Sequence, residues 1–176
     1  MRGRNLETTL FLEILIVAVL TLVNGLLAMS ELAVVSSRPA RLKVLAAEGK
    51  RGASVALKLQ EDPGKFLSSV QIGITLVGVL SGAFSGATLG ERLGATLAGA
   101  GINPSVAAPL GVGIVVIIIT YLSLIIGELV PKQVALRDSE GVAARVAPAM
   151  AFIASIAAPL VWFLDISGKL VLRLLG

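Results

Sequence analysis

A carboxylate, a glycine and a proline lie close together near the end of a long apolar stretch. Glu128 follows the run VGIVVIIIT, and Gly127 and Pro131 flank it in the motif GELVPK. Pro131 has no N–H group, so it cannot donate to the carbonyl four residues earlier, which is that of Gly127. The sequence therefore predicts a carbonyl without its helical donor beside a carboxylate, on a kinked helix. Many transporters bind cations near the middle of the membrane on helices interrupted in this way.

Two other apolar stretches also contain polar side chains. NGLLAMSELA and LSSVQIGITLVGVLSG carry amide, hydroxyl and carboxylate groups where hydrocarbon is expected. Such groups are costly in a membrane and normally face a cavity or a partner. Their oxygens are hard ligands, which suit Mg²⁺, Ca²⁺ or Na⁺ better than soft metals. Besides Glu128 and the Gly127 carbonyl, the candidate ligands are Asn24, Ser30, Glu31, Ser68, Ser69, Gln71, Thr75 and Ser81.

Each carboxylate also has a structural interpretation. Glu128 precedes Lys132 by four residues, the order that favours an ion pair on one helix face. Glu31 is placed to cap a helix or to reach the interface near Arg38. Glu13 lies near one end of the first apolar stretch, as an interfacial carboxylate would. These alternatives compete with the interpretation as a cation site.

The composition indicates a membrane protein and excludes several kinds of chemistry. The chain of 176 residues is 56% hydrophobic and 15% charged, whereas soluble domains are about 25% charged. It has no Cys and no His, which removes disulfides, thiolate or imidazole metal sites and histidine catalysis. With 4% aromatic residues, stacking on nucleic acid is not expected. No Ser–Lys pair lies convincingly within a span, so we expect no enzyme.

Three apolar segments predict an all-α integral membrane domain that occupies the whole chain, residues 1–176. About 20 residues cross the hydrocarbon core, and the segments at about 10–30, 66–89 and 106–130 fit that length. Between the first two, residues 37–62 are basic with recurring apolar positions. We predict one or two amphipathic helices there, lying on the membrane surface.

The last apolar region, residues 142–175, has two interpretations. It is long enough to span, but Pro148 and Pro159 interrupt it, and Asp165, Lys169 and Arg173 make its far end polar. We favour a kinked helix at the cytoplasmic interface, with a fourth span as the alternative.

The distribution of basic residues predicts the orientation. Seven Lys and Arg residues lie in 37–65, whereas the loop after the second span carries only Arg92. Because cytoplasmic loops are enriched in Lys and Arg, we expect the N-terminus outside and the basic segment in the cytoplasm of a multi-pass protein in the cell membrane.

Glycines recur every four residues in the second span. The series is Gly78, Gly82, Gly86, Gly90 and Gly94. Small residues at this spacing allow two helices to approach closely. We expect the series to pack against a helix of the same chain or of a second copy, and packing alone is a sufficient interpretation of these glycines.

Three motifs resemble one known family. NGLLAMSELAVVSSRPARL, QIGITLVGVLSG and GELVPKQVALR are similar, in order and over nearly the whole chain, to the membrane domain of the CorC/CNNM family, also called DUF21. The resemblance implies a three-span domain with a juxtamembrane helical belt, forming homodimers in the bilayer. It also implies Mg²⁺ transport, generally efflux, coupled to Na⁺ entry. Family members continue into cytoplasmic CBS modules, which we do not find in this chain.

The same resemblance assigns roles to individual residues. It implies Ser30, Ser81 and Glu128 as Mg²⁺ ligands, with Asn24 and the Gly127 carbonyl in support. We expect Glu31 to orient or gate the site, Pro131 to free the carbonyl, and neutral oxygens such as those of Asn24, Gln71 or Thr75 to serve Na⁺. The rival interpretation is a membrane anchor and dimerisation module for regulatory domains, which has no need of Glu128 beside a freed carbonyl.

Overall fold

The computed structural model describes the backbone of Arg2–Leu175 and the side chains of residues 7–174, and this part of the chain consists of helices joined by short turns. The all-α prediction is confirmed. The helices are α1 (Arg2–Ser36), α2 (Pro39–Ala47), α3 (Arg51–Glu61), α4 (Pro63–Ser85), α5 (Glu91–Gly99), α6 (Pro104–Leu124), α7 (Val130–Arg137) and α8 (Ser139–Leu175). Short π-helical segments, Gly86–Gly90 and Ile125–Leu129, join α4 to α5 and α6 to α7.

Within the described residues, four helical stretches are long and apolar enough to cross a membrane, by length and composition. They are Glu7–Ser36, Pro63–Gly99, Pro104–Arg137 and Ser139–Leu174. The alternative of four spans therefore fits. The fourth stretch is one continuous helix despite Pro148 and Pro159, which lie inside α8.

Helix boundaries follow from local sequence. Gly49 and Gly101 have φ of +88° and +99°, a conformation that glycine adopts readily, and they follow α2 and α5. The next helix after Gly101 starts at Pro104, where proline's missing N–H costs nothing. Asn103 caps it, because its side-chain oxygen accepts the Ser105 N–H at 3.1 Å.

The chain divides into two compact units, and the first comprises Met1–Leu26 and Thr75–Pro131. Within it, α6 packs against α5 and against the π-helical segment Gly86–Gly90. A Cβ atom added to Gly90 would lie 2.9 Å from the Cα of Val112, and one added to Gly94 would lie 2.9 Å from the Cα of Ala108. These two glycines therefore allow α5 and its π-helical segment to approach the backbone of α6.

The same approach explains a difference from the sequence interpretation. GERLGATLAG was expected to be a loop after the second span, but it continues the helix to Gly99. By contrast, a Cβ atom added to Gly78 or Gly82 would meet no atom within 4 Å. The regular glycine series thus serves two different environments.

The second unit comprises Leu27–Ile74 and Lys132–Gly176, and in it α3 packs against α8 and α2. Gln60 of α3 fixes the end of α1. Its Nε2 donates to the carbonyl of Val34 at 2.7 Å and to that of Ser37 at 2.9 Å. Because the last carbonyls of a helix lack intrahelical donors, this amide satisfies groups that would otherwise need water.

Candidate cation site

The Gly127 carbonyl has a side-chain donor in place of a helical one. The backbone of Ile125–Leu129 forms a π turn, in which the Val130 N–H bonds the Ile125 carbonyl. Asn24 of α1 donates from Nδ2 to the Gly127 oxygen at 3.0 Å. A carbonyl has two acceptor positions, so this oxygen can accept a second partner besides Asn24. The freed carbonyl expected from Pro131 is therefore held by a specific amide.

Two glycines bring α1 and the π turn together at this bond. A Cβ atom on Gly127 would lie 3.2 Å from the Thr21 carbonyl oxygen and 3.3 Å from Asn24 Nδ2. A Cβ atom on Gly25 would lie 3.0 Å from Pro131 Cγ and 3.1 Å from the oxygen of Ile126. A larger side chain at either position requires the helices to separate. The crossing therefore depends on glycine on both sides.

Besides Glu13 Oε2, which faces the Arg92 guanidinium, two buried oxygens of the first unit have no hydrogen-bond partner among the described residues. They are Oδ1 of Asn24 and Oγ of Ser81. Ser81 is 5% exposed. Buried polar atoms are normally paired, so an unpaired one needs a partner from outside the protein or a specific role. Both atoms belong to residues predicted as cation ligands.

The remaining predicted residues lie in different environments. Glu128 is half-buried in the π turn and takes part in a polar interaction. Ser30, in the second unit, is fully buried and also has a polar interaction. Glu31 is half-buried, and Gln71 is exposed. The structure thus brings Asn24 and Gly127 into contact within the first unit, while Ser30, Glu31 and Gln71 belong to the second.

The donor set contains few charged groups. No cluster of three or more Asp, Glu, His or Cys side chains suited to a metal occurs among the residues described. A cation held in the first unit would therefore depend mainly on neutral oxygens and on the Glu128 carboxylate. Neutral oxygens bind a hard cation less tightly than several carboxylates would, and release it more readily.

Sequence reasoning missed two participants at this crossing. Thr21 is buried and places both its carbonyl and its methyl group against Gly127. Gly25 lies next to Asn24 and faces Pro131. The signal was present in the spacing, because residues 21, 24 and 25 share one helix face. Thr21 and Gly25 contribute a backbone oxygen, a methyl group and the absence of a side chain, which residue type alone does not mark as part of a polar site.

Glu13, interpreted from the sequence as an interfacial carboxylate, forms an ion pair with Arg92. Arg92 binds both of its oxygens, from Nη2 to Oε1 and from Nε to Oε2, each at 2.9 Å. Both side chains are largely buried, with 15% of the Glu13 and 33% of the Arg92 side chain exposed. This bidentate pair joins α1 to α5 within the first unit.

The sequence matches a family model described as "Cyclin M transmembrane N-terminal domain" over residues 14–176. The chain belongs to the CNNM family. With its four apolar helices, the CNNM domain is a multi-pass membrane domain of a family related to transport rather than to known enzymes.

The similar proteins have names of two kinds. UPF0053 protein sll0260 of Synechocystis is 49% identical over 165 residues, which cover 94% of this chain and 37% of the relative. Polyamine export protein of Haemophilus influenzae is 33% identical over 94% of this chain and 38% of its own length. Polyamine export protein of Escherichia coli K12 is 30% identical over 162 residues, which cover 92% of this chain and 36% of the relative. The CNNM domain spans just over a third of these relatives.

Proposed function

We propose that the CNNM domain binds Mg²⁺ through oxygen ligands and carries it across the cell membrane. The ligands in the first unit are the Glu128 carboxylate, the Gly127 carbonyl, Asn24 Oδ1 and Ser81 Oγ. Ser30 is added by the family resemblance alone. We assign Glu31 and Gln71 supporting roles in gating or in Na⁺ passage.

The observation that carries the proposal is the unpaired Asn24 oxygen beside the Gly127 carbonyl. Asn24 donates its amide hydrogen to Gly127 and leaves Oδ1 buried without a hydrogen bond among the described residues. Gln60 of α3 shows the same pattern in a structural role, because it donates to backbone carbonyls and leaves Oε1 buried and unpaired among the described residues. The Asn24 oxygen supports a cation because its side chain is bound to the Gly127 carbonyl, next in the chain to Glu128. A cation supplies the missing partner for that acceptor and shares the carbonyl that Pro131 has freed.

Mg²⁺ fits a site with one principal negative charge. It prefers six oxygens at about 2.0–2.1 Å and gives up its waters reluctantly. Neutral oxygens fixed by a crossing of glycines replace part of the hydration shell without adding charge. Binding of this kind is weak enough to permit release, which transport requires. Coupling to Na⁺ entry and the direction of efflux are proposed from the family resemblance.

A polyamine is the second candidate substrate, because two of the relatives carry the name polyamine export protein. Ammonium groups are also recognised by carbonyl, amide and carboxylate oxygens, since all three are hydrogen-bond acceptors. Mg²⁺ and a polyamine differ in geometry: a metal ion needs convergent ligands around one centre, whereas a polyamine needs acceptors spaced along a channel.

The proposed domain works as a homodimer in the plasma membrane, with the N-terminus outside and the basic segment 37–65 in the cytoplasm. The open faces of Gly78 and Gly82 support a second copy there, because exposed Leu76, Val79 and Leu80 lie beside them. Cysteine crosslinking at positions 78 and 82 in native membranes tests this contact, and monomeric protein under all conditions would contradict it.

Calorimetry on the purified protein tests the substrate. Mg²⁺ and spermidine are titrated separately into wild type, Glu128→Ala and Glu91→Ala, the last replacing an exposed carboxylate of the same unit. We expect Mg²⁺ binding to be lost only in Glu128→Ala. Binding of spermidine but not Mg²⁺ would favour the second candidate, and binding of neither would leave the membrane-anchor function. Flux into vesicles then distinguishes transport from binding alone.

A further inference from the structure

A pocket lies where α3 begins and α8 passes it, within the second unit. It has a volume of about 390 Å³ and is lined by Lys50, Gly52, Gly141, Ala144 and Arg145. Two of these residues are cationic and none is acidic. The proposed cation site does not use any of them.

The two cations have no acidic partner. Among the described residues, neither Lys50 nor Arg145 forms an ion pair, and both side chains are exposed. Glu140, one turn before Arg145, is already engaged by the Arg38 N–H at 3.3 Å and by the Arg41 guanidinium at 3.9 Å.

Asp138 is the other carboxylate near the pocket. It accepts the backbone N–H of Gly141 at 3.0 Å, so one of its oxygens is bound to the pocket wall. One oxygen of Asp138 and the Glu140 carboxylate are thus engaged, and among the described residues no ion pair of Lys50 or Arg145 offsets the positive charge of the pocket.

The start of α3 forms part of the pocket wall. Gly52 packs directly on the carbonyl of Ala144, which leaves no room for a Cβ atom and fixes the start of α3 against α8. Lys50 is the residue before α3, and no side chain caps this helix. Among the first N–H groups, that of Ala53 bonds the Lys50 carbonyl at 2.9 Å. Those of Arg51 and Gly52 have no acceptor inside the helix, and the helix dipole is positive at this end.

We propose that this pocket binds a phosphate group between Lys50 and Arg145, either on an anionic lipid or as a free phosphate. Two cationic side chains that line one pocket beside a helix start offer the groups by which proteins hold phosphate. The segment that carries Lys50 is the basic one expected at the cytoplasmic face, where anionic lipids are concentrated.

The test compares two charge-matched variants. Lys50→Gln/Arg145→Gln removes both cations of the pocket, and Lys43→Gln/Lys58→Gln removes two exposed cations of α2 and α3 that do not line it. Protein in nanodiscs of phosphatidylcholine is titrated with phosphatidic acid, and protein in detergent is titrated with inorganic phosphate. Lys50→Arg/Arg145→Lys keeps the charges and serves as the rescue variant.

We expect the pocket variant to bind phosphatidic acid about tenfold or more weakly, from about 1 kcal/mol for each cation near the headgroup. The matched control should change less than about twofold by the same reasoning, and the rescue variant should bind like wild type. A matching loss for inorganic phosphate identifies free phosphate as sufficient, whereas loss for the lipid alone identifies a headgroup. Equal losses in the two Gln variants, or no binding of either probe by wild type, would overturn the proposal.

Discussion

Asn24 donates a 3.0 Å hydrogen bond to the carbonyl of Gly127, and this bond replaces the one that Pro131 cannot make. It connects α1 to the π turn that carries Glu128. The predictions below test this bond, the glycine crossing around it, and two polar contacts that fix the ends of α1.

Replacing Asn24 should destabilise the protein and weaken cation binding together. In Asn24→Ala the Gly127 carbonyl loses its donor, at a cost of about 1–2 kcal/mol, the upper range for polar contacts within membranes. In Asn24→Asp a carboxylate faces that carbonyl, and the two oxygens repel each other. We therefore expect a lower melting temperature than wild type without Mg²⁺, and a larger increase than wild type when Mg²⁺ is added. Thermal unfolding in detergent with and without Mg²⁺ measures both. The hypothesis fails if Asn24→Ala melts like wild type and like exposed Leu22→Ala.

Gly127→Ala should be far more disruptive than Gly113→Ala, although both glycines lie in the third span. The new Cβ atom at position 127 would lie 3.2 Å from the Thr21 oxygen and 3.3 Å from Asn24 Nδ2. Overpacking of this kind costs about 1–3 kcal/mol. At position 113 nothing lies within 4 Å, and alanine is favoured over glycine in a helix. Equal melting temperatures for the two variants would show that the crossing is loose.

The Glu13–Arg92 pair should contribute more to stability than the Asp165–Lys169 pair of α8. The first is bidentate and mostly buried, whereas the second is a single contact with 54% and 66% of its side chains exposed. Double-mutant cycles should give a coupling of about 1–2 kcal/mol for the first pair and about 0.3–0.5 kcal/mol for the second. Salt should weaken only the second. A larger coupling energy for Asp165–Lys169 than for Glu13–Arg92 would indicate that water, and not Glu13, is the main partner of Arg92.

Gln60→Glu should destabilise the protein more than Gln60→Ala. The amide donates to the carbonyls of Val34 and Ser37, whereas a carboxylate has no hydrogen to donate and repels them. Loss of the donor costs about 1–3 kcal/mol. Hydrogen exchange should increase at the end of α1 and the start of α2 in both variants, but not in Lys58→Ala on the exposed face of α3. Unchanged exchange in Gln60→Glu would refute this role.

The sequence was sufficient to predict the all-helical class, the family and the loss of a backbone bond at Gly127. Those features follow from residue types alone, since proline's missing donor does not depend on its surroundings. The identity of the new donor required the fold, because Asn24 lies about a hundred residues away and several amides were equally plausible. Likewise, glycines with identical spacing have different environments: Gly94 packs on Ala108, and Gly78 meets nothing. Periodicity identifies a face but not what covers it.

The π-helical segment Ile125–Leu129 changes which residues of the third span lie on the same helix face. The Val130 N–H bonds the Ile125 carbonyl, the fifth residue back rather than the fourth, so this segment accommodates one residue more than an α turn. One residue corresponds to about 100° of rotation in an α-helix. In the third span, a helical wheel continued from α6 past Ile125–Leu129 therefore misplaces every residue of α7 by about 100° around the helix axis. Removing one residue inside that segment would restore a uniform α-helix. It would also rotate Gly127 and Glu128 relative to α6 or to α7. The number of residues in this segment therefore matters to the site as much as their identity.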